Sequence, residues 1–266
     1  MMKKFRGSLF ASLTAAVVLC SAGHTMAQLP PAKPAIPAKL EVANPAEDPT
    51  KPSPGGVRWF MPSHGRNMAR TADKKPIELC FFGDSITQGW DGGLFNKYFG
   101  QYSPANFGVG GDKIQHQLWR IENGELKGHS PKVIVLLIGT NNLGFISAGD
   151  VAFGIANTVK NLQGKFPTSK ILLLGIFPKA EAPLAPNATP PAPQDTLRGK
   201  TAIVNAMISK LDDKKMVRYL DLTPKFLDAD GKILGNVLKD GVHLTPQGFT
   251  VWGDNMAPLL AEMMGK

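Results

Sequence analysis

The stretch Val133-Ile134-Val135-Leu136-Leu137-Ile138 contains six consecutive apolar residues and no polar one. A strand with one face in solvent alternates apolar and polar residues, so a strand without polar residues must be covered on both faces. Such strands lie in the middle of parallel sheets that have helices on either side. The stretch therefore predicts a central strand of an α/β protein.

Other short apolar runs alternate with longer amphipathic stretches along the chain. The runs predict four more strands, Ile77–Phe82, Ala105–Val109, Ile171–Ile176 and Val217–Leu222. The amphipathic stretches predict helices near 86–99, 113–122, 150–166, 195–212 and 246–263. The last helix has a good start signal, with Thr245 as N-cap and Pro246 at the first helical position. This alternation predicts a three-layer α/β/α sandwich with a central parallel sheet.

The N-terminus, residues 1–27, has the pattern of a secretory signal peptide. Three basic residues stand among the first six, an uncharged run follows from 8 to 22, and small residues lead to Ala27. We expect cleavage after Ala27 and export to the periplasm or the medium. The run is shorter than the roughly 20 residues of a membrane-spanning helix, although an uncleaved anchor stays open as the alternative. Leu19 before Cys20 argues against a lipoprotein signal.

Residues 28–56 contain eight prolines and few large apolar residues. Such a segment cannot build a packed core, so we expect an extended, semi-rigid tether. The folded domain is then predicted to span 57–266, without internal repeats. Within it, the segment 179–194 carries five more prolines.

Charge and cysteine content narrow the function classes. The chain has 30 basic and 21 acidic residues, a net charge of +9, and loss of the three basic residues in 1–27 reduces it to +6. No run of five or more basic residues remains, so nucleic acid is not indicated as a partner. Without Cys20, Cys80 is the single thiol; it stands in an apolar run, where we expect it to be a small buried side chain.

Chemistry is expected at the carboxyl ends of the strands, where open α/β sheets bind ligands. In Gly83-Asp84-Ser85, Ser85 follows the first strand and begins a helix, so its hydroxyl would enter the cleft. The helix N-terminus behind it would favour a developing oxyanion. The alternative is an ordinary helix start in which Ser85 or Asp84 is only a cap.

Two further segments supply possible oxyanion donors. The loop 106–112 contains Gly111, whose N–H can approach a ligand closely, and it lacks the spacing of a phosphate-binding or dinucleotide loop. Asn141, at the exit of the central strand, has an amide that can donate to the same oxyanion. Taken alone, each segment is also explained by a plain turn.

Asp240 and His243 stand three residues apart, just before the last helix. An imidazole held by a carboxylate can accept the proton of a serine hydroxyl, and the carboxylate fixes the tautomer. His64 lies before the first predicted strand, and His116 and His129 flank a predicted helix, so we expect His243 to be the base. No further ligands stand at metal-site spacing, so neither a metal nor another cofactor is expected.

The order of these four blocks resembles the SGNH hydrolases, the GDSL-type esterases and lipases. The segments Asn106–Arg120 and Glu122–Leu126 are similar to the catalytic-subunit group of the type Ib platelet-activating-factor acetylhydrolases. The resemblance covers about residues 75–262 and implies a flavodoxin-like fold and carboxylic ester hydrolysis. It implies Ser85, Asp240 and His243 as catalytic residues, and the Ser85 and Gly111 N–H groups with the Asn141 amide as oxyanion hole.

Export behind a proline-rich segment departs from the cytosolic animal members of that group. Resemblance to exported relatives then favours a carbohydrate acetylesterase. A phospholipid acetylhydrolase or lysophospholipase and a non-catalytic glycan-binding or scaffold protein are the alternatives. Among neighbouring residues, we expect Asp84 to cap or brace its loop. Trp119 and Arg120 are expected to serve packing and an ion pair. Trp90 is predicted either to line the pocket or to pack.

Overall fold

The computed structural model describes residues 35–41, 44–181, 183–184 and 186–266. Five parallel strands form one sheet in the order β2-β1-β3-β4-β5. The strands are β1 Leu79–Gly83, β2 Pro104–Asn106, β3 Val133–Leu137, β4 Lys170–Leu174 and β5 Val217–Leu220. The predicted parallel sheet is confirmed, with strands one or two residues shorter than the apolar runs.

Seven α-helices connect or precede these strands within the described residues. They are α1 Phe60–Ala72, α2 Ser85–Gln88, α3 Gly92–Phe99, α4 Ile114–Glu122, α5 Ala148–Lys165, α6 Leu197–Ile208 and α7 Pro246–Met264. As expected, Thr245 caps α7 by accepting the N–H of Gly248, and Pro246 is its first residue.

The sheet separates two apolar cores, and β3 contributes to both. Ile134 and Leu136 face a core shared with α4, α5 and α6. Val133 and Val135 face the opposite core, shared with α3 and α7. All four side chains are at most 1% exposed, which explains why the stretch has no polar residue. The predicted three-layer sandwich is thereby confirmed.

The predicted helix over 86–99 is in fact two helices. Gly89 ends α2, and the Asp91 carboxylate starts α3 by accepting the N–H of Leu94 at 3.0 Å. An aspartate inside a helix competes for backbone N–H groups, and here it opens a new helix. The helix predicted over 195–212 is also shorter, because α6 passes into a 3₁₀ turn at Ser209–Leu211.

The described part of segment 28–56 contacts the domain, which differs from the expected extended tether. The Glu47 carboxylate lies 2.7 Å from the Lys113 ammonium, and the Glu41 N–H donates to Asp150 at 2.7 Å. Pro49 is buried against Gly154 of α5. The predicted signal peptide, residues 1–27, lies outside the described residues. In the part of the chain that is described, no helix has the length and apolarity needed to span a bilayer.

The sheet order reverses between β1 and β3, because the chain goes from β1 outward to β2 and then back across to β3. Such a reversal opens a crevice at the carboxyl ends of the strands, where doubly wound sheets bind ligands. Ser85 follows β1 and Asn141 lies four residues beyond β3. The topology therefore brings two of the predicted site residues to one crevice.

We predict that Leu136→Ala lowers the free energy of unfolding by about 2–5 kcal/mol, because it leaves a cavity at a fully buried position between the sheet and its helices. Urea denaturation measures the change. The matched control is Leu184→Ala, at a side chain that is 54% exposed, where we expect a change within about 0.5 kcal/mol. Equal effects of the two substitutions would contradict the core assignment.

Candidate active site

The structure brings Ser85, His243 and Asp240 into one chain of hydrogen bonds. Ser85 Oγ lies 2.9 Å from His243 Nε2, and His243 Nδ1 lies 2.6 Å from Asp240 Oδ2. Ser85 and His243 are 158 positions apart in sequence, so this contact is made by the fold alone. An imidazole in this position can accept the hydroxyl proton, and a carboxylate on its other nitrogen can stabilise the imidazolium.

Tight packing at the end of β1 fixes the place of Ser85. A Cβ atom on Gly83 would lie 2.1 Å from Thr87 Oγ1 and 2.5 Å from the Leu137 carbonyl, so only glycine fits there. The Asp84 carboxylate then accepts the N–H of Ile86 at 2.9 Å and starts α2. Ser85 is therefore the first helical residue, at the edge of the crevice.

The Asp240 carboxylate also orders the loop that holds His243. One oxygen, Oδ1, accepts the backbone N–H groups of Val242 at 3.1 Å and His243 at 2.7 Å, while the other contacts the ring. These hydrogen bonds, that of the His243 backbone first, lower the pKa of Asp240 to about 2. Asp240 is therefore ionised throughout the neutral range, as a partner of a protonated imidazole needs to be.

Gly111 and Asn141 line the same cavity as Ser85 and His243, with a volume of about 490 Å³. Gly111 has φ of +79°, a conformation that glycine adopts without strain. The Asn141 amide donates to the Asp112 carbonyl at 2.9 Å, which ties the exit of β3 to the glycine loop. All five residues predicted for the site thus lie together at one edge of the sheet.

The remaining wall of this cavity comes from residues that the sequence analysis did not single out. They are Trp59, Ser63, Arg66, Gln88, Gly110, Lys179 and Val242. Trp59 is 46% exposed, and its indole N–H donates to the Gly110 carbonyl at 2.8 Å. A larger cavity of about 900 Å³ is lined by α6 together with Pro178, Glu181, Pro191 and Pro193, and none of the five predicted site residues lines it.

Asp84 is a helix cap, as expected. Its carboxylate is fully buried, with Oδ1 on the Ile86 N–H and Oδ2 without a hydrogen-bond partner. Burial raises the pKa of Asp84 to about 6, and the Ile86 hydrogen bond and the charges of His243 and Lys179 offset only part of that rise.

The other histidines of the described domain serve structural contacts. His64 Nδ1 lies 3.0 Å from Glu125, and His129 Nε2 lies 2.9 Å from the Thr71 carbonyl. His116 accepts the Lys113 N–H, and burial lowers its pKa to about 4. His243 is thus the one histidine that lines the cavity with Ser85.

A buried ionic network behind the glycine loop escaped the sequence analysis except for Arg120, whose ion pairing is confirmed. Arg120 Nε donates to Asp112 at 2.8 Å, and its Nη1 contacts both Glu125 and the Phe107 carbonyl. Burial raises the pKa of Asp112, and the Arg120 guanidinium opposes that rise. Asp112 and Glu125 stand eight residues before and five after Arg120. That charge pattern was the available signal.

The tryptophans also have clear positions. Trp119 packs against the rings of Phe60 and His64, as expected. Trp90 is 6% exposed and packs between Phe249 and Trp252, so it belongs to the core and not to the cavity at Ser85.

Comparison with known proteins agrees with this geometry. The profile of the GDSL-like lipase/acylhydrolase family matches residues 81–251, from β1 into α7. The chain belongs to this family. The match confirms the resemblance drawn from the four sequence blocks, and it makes the protein a carboxylic ester hydrolase, so the non-catalytic alternative is set aside.

Individual relatives are similar to this chain over most of their length. Platelet-activating factor acetylhydrolase IB subunit alpha1 of Bos taurus is 35% identical over 211 residues, 78% of this chain and 85% of the relative. Subunit alpha2 of Rattus norvegicus is 36% identical over 73% of this chain and 80% of the relative. A GDSL-like lipase from Bacteroides thetaiotaomicron has the same fold, with a TM-score of 0.61 and 18% identity over 75% of this chain and 97% of that one.

We predict that Asp84→Asn stabilises the protein increasingly between about pH 4 and pH 6. Because burial raises the pKa of Asp84 from 3.8 to about 6, the folded protein favours the protonated carboxyl. The contribution of this carboxyl to the free energy of unfolding is lost as pH rises through 6. The neutral asparagine avoids a loss on the order of 3 kcal/mol while still capping α2. Urea denaturation of both proteins from pH 4 to 8 gives the difference, and parallel pH curves would refute the buried carboxylate's role.

Proposed function

We propose that this GDSL-family hydrolase is an exported serine esterase that removes acetyl and other short acyl groups from carbohydrate esters. The observation that carries the proposal is the 2.9 Å contact of Ser85 Oγ with His243 Nε2 in a cavity to which several polar side chains contribute. Ser85 is the nucleophile, His243 the general base and acid, and Asp240 the residue that orients His243.

In the first half-reaction Ser85 Oγ attacks the ester carbonyl while its proton passes to His243 Nε2. The tetrahedral intermediate collapses, and His243 returns the proton to the departing alcohol oxygen. The acyl group is now an ester of Ser85. In the second half-reaction water attacks this ester, His243 takes the water proton, and the free acid and the Ser85 hydroxyl are regenerated.

The oxyanion of each intermediate is stabilised by the Ser85 and Gly111 N–H groups and by the Asn141 amide. Support comes from their common position: all three residues line one cavity, and Ser85 lies at the start of α2. The Asn141 amide also donates to the Asp112 carbonyl, which holds it in place before substrate arrives. Donors that are positioned in advance cost no reorganisation during the reaction.

The chemistry of the cavity wall supports a short acyl group and a hydroxyl-rich alcohol. Ser63, Arg66, Gln88, Asn141 and Lys179 line it beside Trp59 and Val242. A long acyl chain would therefore cover polar groups as well as apolar surface, and it would gain less than about 0.8 kcal/mol per buried CH₂. The half-exposed Trp59 ring at the same wall offers an apolar face of the kind on which a sugar ring can lie.

A second candidate is a phospholipid acetylhydrolase. The relatives at 35–36% identity are named platelet-activating factor acetylhydrolases, which favours a lipid carrying a short acyl ester. The two candidates share the acyl group and differ in the alcohol.

Export rests on the basic and apolar pattern of residues 1–27. Bacterial expression of the full chain followed by N-terminal sequencing tests it. We expect a mature chain that begins at Gln28 in the periplasm or the medium, and an intact N-terminus in the cytosol would contradict export.

We predict that Ser85→Ala lowers kcat for p-nitrophenyl acetate by at least about 10⁴-fold, because the covalent step is lost. Steady-state kinetics with a check of folding by circular dichroism measures the effect. Ser130→Ala, at an exposed serine before β3, is the control and should keep full activity. Residual activity of Ser85→Ala within tenfold of the native protein would place the nucleophile elsewhere.

We predict that kcat/KM falls by at least about tenfold from acetyl to octanoyl p-nitrophenyl esters, because a long chain at this wall would remove water from the polar groups of Arg66, Gln88 and Lys179. A parallel panel of acetylated sugars and of 2-acetyl phospholipids separates the two candidate alcohols. Faster turnover of the sugar esters supports the first candidate, and faster turnover of the phospholipid supports the second. An increase of kcat/KM up to octanoyl would overturn the short-acyl proposal.

A further inference from the structure

Two cationic side chains face the cavity that contains Ser85 and His243. Arg66 lies on α1, and Lys179 lies on the loop after β4. No aspartate or glutamate lines this cavity among the described residues. A ligand at Ser85 is therefore surrounded by groups that carry positive charge or none, apart from the Asp240 carboxylate behind His243.

Neither cation forms a salt bridge with any residue that the structure describes. The Arg66 guanidinium donates to the neutral Ser63 hydroxyl at 2.8 Å, and it is exposed. Lys113 and Arg120, by contrast, are paired with Glu47, Asp112 and Glu125. The two cations of the cavity thus keep hydrogen-bonding capacity for a ligand.

Asp84, the acid behind Ser85, does not neutralise Lys179 by direct pairing. Its Oδ1 accepts the Ile86 N–H and its Oδ2 has no hydrogen-bond partner. The positive charge of Lys179 lowers the pKa of Asp84 only as one of the smaller contributions. Lys179 is half-buried, so its charge acts through less water than that of a fully exposed lysine.

We propose that Arg66 and Lys179 form an anion-binding subsite and that the natural ester carries a carboxylate or phosphate on its alcohol part. The inference rests on the proposed function, since it takes Ser85 as the point of attack. Because the acyl group is short, the part of the substrate that reaches the two cations is the alcohol part. A guanidinium presents paired N–H groups to the oxygens of carboxylates and phosphates, and an ammonium adds a point charge. Arg66 lies outside residues 81–251, the segment matched by the family profile, whereas Lys179 lies inside it.

A matched pair of small esters tests the subsite. The anionic 4-acetoxybenzoate and the neutral methyl 4-acetoxybenzoate have the same acyl group and the same ring. The kcat/KM of the anionic ester is divided by that of the neutral ester. This ratio is measured for the native protein, Arg66→Gln, Lys179→Gln and the double variant. Because each variant removes one charged hydrogen-bond donor, we expect each single substitution to lower the ratio by about tenfold and the double one by more.

Two controls separate charge recognition from general damage. Lys127→Gln removes an exposed cation of the loop before β3, at the opposite edge of the sheet, and should keep the native ratio. Arg66→Lys and Lys179→Arg keep the charge and should keep most of the ratio. Raising NaCl from about 20 mM to about 500 mM should lower the native ratio, because the subsite is open to solvent.

The outcomes separate this proposal from the proposed function. If the native protein hydrolyses neither ester and no other acetate, the proposed function fails. If it hydrolyses both and the ratio is unchanged in the double variant, the subsite alone is overturned. If the ratio falls as expected, an O-acetylated glucuronide and a 2-acetyl ether phospholipid identify the source of the anion. The compound whose kcat/KM falls in the double variant, and not in Lys127→Gln, carries the group that the subsite binds.

Discussion

The Arg120 guanidinium lies between two carboxylates, Asp112 and Glu125, and all three side chains are at most 1% exposed. Removal of one partner of a buried ion pair typically costs about 3–5 kcal/mol, because an uncompensated charge remains. Arg120 also holds the Phe107 carbonyl, and Glu125 binds His64 and Asn67 of α1. One buried cation therefore connects the glycine loop, α4 and α1, the three elements that surround the crevice beside β1.

The proposed chemistry depends on this network indirectly. The Asp112 carboxylate is fixed by Arg120, while the Asp112 carbonyl receives the Asn141 amide. Two of the proposed oxyanion donors, Gly111 and Asn141, are thus held on either side of a residue that the ion pair immobilises. Ser85 and His243 are positioned separately, by the Asp84 cap of α2 and by the Asp240 turn. The site residues are thus placed by two kinds of structure. The buried ionic network holds Gly111 and Asn141, and two turns, each centred on a carboxylate, hold Ser85 and His243.

The sheet was predictable from sequence, because an apolar run such as Val133–Ile138 indicates a strand that is buried on both faces. The grouping of the five site residues was predictable as well. Helix α1 was not, and the reason is physical. Its buried face consists mainly of Ser63, His64, Asn67 and Thr71. The last three form hydrogen bonds to other segments, and Ser63 accepts one from Arg66 of the same helix. Apolar periodicity is absent from such a face. Arg66 and Lys179 were missed for a related reason: the sequence does not show that two cations from distant segments face one cavity.

The central claim is that Ser85 becomes covalently acylated with the help of His243. Peptide mapping by mass spectrometry after reaction with a fluorophosphonate tests it directly, because this reagent traps an activated serine as a stable adduct. We expect one adduct per chain, on the peptide that contains Ser85, and a marked slowing of its formation in His243→Ala. An adduct on another residue, or full esterase activity in a protein whose Ser85 carries the adduct, would contradict the account.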